Sequence, residues 1–149
     1  MRRFVVTAAT WFGTGMSPFA PGTAGTAGAI PLYLILAQLP LWLYLATLVP
    51  FIVLASWVSD AAQEIFGEQD PGKIVIDEVA GFLVTMAGVP CTLTTVLFGF
   101  FLFRFFDIVK IPPARFFDRR MKNGFGVVLD DVAAGVYACG SLHLLLRFV

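Results

Sequence analysis

Three stretches of the chain, residues 4–59, 79–103 and 132–146, contain no Asp, Glu, Lys or Arg. The polar residues between them are gathered into short segments. Apolar runs approaching the roughly 20 residues needed to cross a bilayer predict membrane helices, broken wherever Pro and Gly accumulate. Residues 4–12 predict a short interfacial helix. Residues 13–28 (GTGMSPFAPGTAGTAG) hold five glycines and two prolines, and predict a loop. Residues 30–39 and 41–58, divided by Pro40, predict a helical hairpin turning at that proline. Ser59 or Asp60 extends the second helix past Glu64 to a stop at Gly67, and Asp70-Pro71-Gly72 marks a turn. A helix is expected from about Lys73, interrupted at Pro90 and restarted at Thr92 or Thr94. Residues 132–149 predict the last membrane helix, with Arg147 near its end.

Length decides how the middle helices run. Residues 79–89 give about 16 Å of helix, half the roughly 30 Å hydrocarbon core. Two antiparallel helices hinged at Pro90 gather Asp77, Glu78 and Asp107 at one membrane face. One continuous span would separate them, so the hairpin is expected.

Composition strengthens the membrane reading. Only 13% of residues are charged and 58% are hydrophobic, with a mean hydropathy of +0.86. Soluble domains carry about a quarter charged residues. The expected fold is therefore all-α: a polytopic integral membrane helical bundle, with broken and short helices, forming one domain over residues 1–149. Arg2 and Arg3 precede an apolar run that offers no small-x-small cleavage site, so no cleaved signal peptide is expected. Net charge is zero, which gives no reason to expect a nucleic-acid partner. Charge is instead segregated: residues 104–131 hold six of the ten Lys/Arg and four of the ten acids. With Arg2 and Arg3 on the same side, this face is expected to be cytoplasmic.

Asp77 and Glu78 open an apolar helix, a place that acids favour on helix-dipole grounds alone. Asp130 and Asp131 stand before VAAGVYA in the same way. Four carboxylates at one membrane depth repel unless a cation lies among them. An all-oxygen set without a His or Cys cluster suits Mg²⁺ or a similar hard metal. Arg104, Asp107 and Lys110 recur every three residues along one helix face. With Arg115, Arg119 and Arg120 they fit a phosphate headgroup, or hold anionic lipid through a polybasic patch. The glycine-rich segment could present backbone N–H groups to phosphate, or pack helices closely. His143 is alone in an apolar helix, which removes Ser-His-Asp schemes. Cys91 and Cys139 read as packing residues.

Four stretches together, GTGMSPFAPGTAGT (13–26), DPGKIVIDEVAG (70–81), RFFDIVKIPPARFFD (104–118) and GFGVVLDDVAAGVYA (124–138), resemble the phosphatidylglycerophosphatase A family. They occur in the family's order over most of the chain. One departure is Ile111, which separates Lys110 from Pro112. The resemblance implies a Mg²⁺-dependent lipid phosphatase of the bacterial inner membrane. It would act in phospholipid biosynthesis, converting phosphatidylglycerophosphate to phosphatidylglycerol and phosphate at the cytoplasmic face. On that basis Asp77, Glu78, Asp130 and Asp131 are expected at the metal, and Asp107 as a further ligand or general base. Asp77 and Asp131 are also expected to be catalytic. Arg104, Lys110 and Arg115 are expected to clamp the phosphate, and Asp70 to help from its turn. An aspartyl-phosphate intermediate is the competing chemistry. The contrasting reading is a small membrane transporter or channel with a charged cytoplasmic face, which would place polar residues at the midplane.

Overall fold

A computed structural model describes residues 1–149 as seven α-helices with no strand: α1 (Arg2–Ala9), α2 (Pro21–Leu36), α3 (Leu41–Phe66), α4 (Ile76–Thr85), α5 (Leu93–Val109), α6 (Ala114–Arg120) and α7 (Gly124–Leu146). A single 3-10 turn, Thr14–Met16, precedes α2. The all-helical expectation holds. Helix α4 is the hub and packs on α7, α2, α3 and α5. Its sequence explains this: after Asp77 and Glu78 it is wholly apolar or small, and nearly every residue is buried. Tyr33, Phe82, Phe103, Met86 and Leu142 fill the core around it. Tyr44 ties α3 to this hub by donating to the Leu83 carbonyl at 2.5 Å. Small residues set the closeness of the α4–α7 contact. A Cβ at Gly81 would stand 2.6 Å from the Asp131 carbonyl oxygen, and one at Gly135 would meet the Gly81 carbonyl.

Several boundaries follow from local signals. Thr92 and Thr95 form a reciprocal capping box at the start of α5. Gly67, at φ 66°, ends α3 in a left-handed conformation, as its position in the sequence predicts. Asn123 accepts from the Gly126 N–H at 3.0 Å at the start of α7. Asp60 reaches across from α3 to accept from the Gly124 N–H at 3.0 Å.

Other expectations need correction. The second half of the glycine-rich segment is not loop but the first turns of α2, begun by Pro21. A proline there loses no helical hydrogen bond, and its fixed φ suits a helix start. The chain does turn at Pro40, the N-cap of α3, but α2 lies mainly on α4 and the 3-10 turn rather than along α3. Helix α4 begins at Ile76 rather than near Lys73, because the Val75 N–H is drawn to the Ala9 carbonyl at 2.8 Å. Helix α7 begins at Gly124, so Asp130 and Asp131 lie two turns inside it and not at its entrance. The turn at Pro90 joins α4 to α5, which pack together.

Two helices, α3 and α7, are long and apolar enough to cross a membrane. Helix α4, at ten residues, is about 15 Å long and cannot. Trp42, Val49, Val53, Trp57, Leu97, Phe101, Phe105 and Ile108 stand exposed on α3 and α5.

Candidate metal and phosphate site

Asp77 and Glu78 occupy the first turn of α4, and Asp131 approaches them from α7. One oxygen from each of the three carboxylates lies within 4.8 Å of the others. Asp77 is 7% and Asp131 3% exposed. Asp77 Oδ1, Glu78 Oε2 and Asp131 Oδ2 are buried without any hydrogen-bond partner. At such separations two carboxylates repel by about 3 kcal/mol even with an effective dielectric near 20. Orphaned anionic oxygens that converge out of water therefore require a cation or protons among them. All-oxygen donors from three acids fit a hard divalent ion.

Arg104 comes from α5 and stands against this trio. Its guanidinium donates to Asp107 one turn on and lies 3.9 Å from Glu78 Oε1. Its Nε is buried and unpartnered. The start of α2 closes the other side. A Cβ at Gly22 would fall 2.5 Å from Glu78 Oε1 and 3.1 Å from an Arg104 nitrogen. Glycine at this position is a condition for Arg104 and Glu78 to meet. The 13–28 motif thus belongs to the site, although its part is close approach rather than a phosphate-loop fingerprint.

Asp130 and Lys110 behave differently from the sequence expectation. Lys110 leaves the α5 helix at φ 51°, so it does not continue the face that carries Arg104 and Asp107. Its ammonium donates to Asp130 Oδ2 at 2.5 Å and sits 3.6 Å from Asp118. Burial by itself would lower the Lys110 pKa. The hydrogen bond and charge of Asp130, with Asp131 and Asp107 nearby, outweigh it and hold the ammonium above its ordinary value. Asp130 faces this lysine and stands apart from the trio. Arg115 is exposed on α6 and joins none of the ion pairs around Arg104 and Lys110.

No spacing or pairing in the sequence singles out Asp118, although it closes the RFFDIVKIPPARFFD stretch. Asp70 stands at φ 46° in its turn and lines a pocket of about 250 Å³ with Asp118 and Asp130. His143 has a structural part, with Nε2 2.9 Å from the Ala87 carbonyl oxygen.

The model of the phosphatidylglycerophosphatase A family matches residues 7–146. The chain belongs to that family. It is 36% identical over 138 residues to the phosphatidylglycerophosphatase A of Escherichia coli, covering 92% of this chain and 80% of that protein. The phosphatidylglycerophosphatase A of Haemophilus influenzae is 38% identical over 132 residues, covering 87% and 81%. A Bacteroides thetaiotaomicron relative, 40% identical over 137 residues and covering 87% and 85%, is provisionally named a phosphatidylinositol-3-phosphatase. No solved structure matches the chain. The family match takes in the carboxylate trio, Arg104, Gly22 and the Lys110–Asp130 pair.

Proposed function

We propose that this protein is a multi-pass membrane lipid phosphatase. It hydrolyses the terminal phosphomonoester of phosphatidylglycerophosphate to phosphatidylglycerol and inorganic phosphate, a step of phospholipid biosynthesis. The observation that carries this reading is the set of three orphaned carboxylates set against a half-unsatisfied arginine, in a chain of this family. The extensive exposed apolar surface on α3 and α5 supports a lipid environment. Arg2 and Arg3 line a pocket with Phe66 at the C-terminal end of α3. Arg120 and Lys122 line another beside Glu64 and Gly67 at the same end. This gathering of basic residues supports a cytoplasmic orientation for that end.

Asp77, Glu78 and Asp131 would hold Mg²⁺. When bound, the ion lowers the pKa of a coordinated water and offsets the charge of the phosphate. Arg104 offers a planar fork suited to phosphate oxygens. Asp107 grips that fork, and a carboxylate already engaged by the guanidinium has a positioning part rather than that of general base. In the reaction the water oxygen joins phosphorus, the bond to the glycerol oxygen breaks, and a proton passes to the alcohol. Phosphate monoesters are among the slowest bonds to break unaided. A lone general base supplies only about 10² to 10⁴ in rate, so charge neutralisation must contribute heavily.

Phosphate release from phosphatidylglycerophosphate by detergent-purified protein tests the reading, with Mg²⁺, with EDTA, and with Asp131→Asn. Release that needs Mg²⁺ and is lost in the folded variant supports it. No release under any divalent cation overturns it and brings the transporter reading forward. A single turnover in H₂¹⁸O with enzyme in excess separates direct water attack, which labels the phosphate, from an aspartyl-phosphate route.

A further inference from the structure

The pocket beside the trio is walled by Gln69 and Asp70 from the turn, Asp118 and Arg119 from α6, Lys122 from the α6–α7 connection and Asp130 from α7. Only two of its eight lining residues are hydrophobic, so it does not suit an acyl chain. At about 30 Å³ per water, its 250 Å³ admits a small polyol with solvent. One wall is prepared for a ligand. Asp130 is 5% exposed, and its Oδ2 is held by Lys110 while its Oδ1 has no partner. Lys110 steadies Asp118 as well, at 3.6 Å.

Ionised carboxylates only accept hydrogen bonds, so the free positions in this pocket call for donors. Arg119 and Lys122 on the lining, with Lys110 behind it, offset the three acids and leave no net pull on a cationic group. Neutral hydroxyls meet both conditions. Asp130 and Asp131 are successive residues, their Cα atoms about 3.8 Å apart. Asp70 on the pocket wall lies near enough to Asp77 for their charges to interact, so a phosphate held at the trio leaves the next atoms of its headgroup within reach of the pocket.

We propose that this pocket reads the one free hydroxyl of the lipid headgroup between the phosphodiester and the terminal phosphate, which donates to Asp118 while water fills the remaining acceptor positions on Asp70 and Asp130. The proposal rests on the phosphatase reading above and specifies how the substrate is chosen. It locates headgroup discrimination in residues separate from those that hold the reacting phosphate.

The test compares phosphatidylglycerophosphate with an analogue whose glycerol is replaced by propane-1,3-diol. The analogue keeps charge and length and loses one hydroxyl. Hydrogen bonds to charged groups predict that wild type prefers the hydroxylated lipid in kcat/KM by on the order of tenfold or more. Asp118→Ala should bring that ratio towards one. Asp70→Asn, which tolerates the left-handed backbone at this position, should narrow it too. Equal turnover of both lipids by wild type, or an unchanged ratio in both variants, overturns the proposal. Release of phosphate from neither lipid by wild type defeats the phosphatase reading itself, and the pocket assignment with it.

Discussion

Lys110 donates to Asp130 at 2.5 Å, while the next residue, Asp131, turns to Asp77 and Glu78. Two adjacent acids on one helix therefore serve different partners. One is neutralised by a lysine of the chain, and the other joins no ion pair within the chain.

Asp131→Asn and Asp77→Asn should each lower phosphate release by two orders of magnitude or more. Neither should destabilise the fold, since each removes one charge from a mutually repelling group. Thermal unfolding with and without Mg²⁺ reads both effects. Wild type should gain Tm on adding the ion, and the variants should gain little or none.

Lys110→Met should destabilise the protein by about 1–3 kcal/mol, because it strands a buried carboxylate. The double variant Lys110→Met/Asp130→Asn should recover much of that loss, as denaturant titration would show. The raised lysine pKa gives this pair its pH window. Its contribution is fully present below the ordinary value of 10.5 and fades only as pH climbs through the folded-state value. The lysine's titration should therefore leave stability unchanged up to about pH 9.

Gly22→Ala separates the site from the fold. Gly to Ala inside a helix ordinarily stabilises by about 0.5–1 kcal/mol. Here the new methyl group meets Glu78 and Arg104. Steady-state assays should show a fall of tenfold or more in kcat/KM, with Tm changed little. An active Gly22→Ala protein would dissociate the glycine-rich segment from the site.

Arg104→Lys keeps the charge and loses the fork that engages Asp107 and leaves Nε free. Its kcat/KM should fall by about 10²-fold. Asp107→Asn should fall less, because Arg104 stays charged and only its orientation is loosened. Comparable losses in the two variants would instead give Asp107 a direct part in the chemistry.

Much of the molecule is legible in the chain itself. The long uncharged runs dictate helices, since a backbone among apolar neighbours must satisfy its own hydrogen bonds. Gly67 and Thr92 mark real helix ends, and the four stretches at 13–26, 70–81, 104–118 and 124–138 name the family. Local signals misled where a neighbour decided the outcome. The glycines at 22 and 25 read as helix breakers, yet they sit in α2 because Glu78, Arg104 and Val75 occupy the space of their missing side chains. Tertiary structure alone parted Asp130 from Asp131. Successive helical residues point about 100° apart, and the sequence does not say which direction holds Lys110 and which holds Asp77. That depends on how α5 ends and how closely α4 meets α7, both fixed by packing between residues distant in the chain.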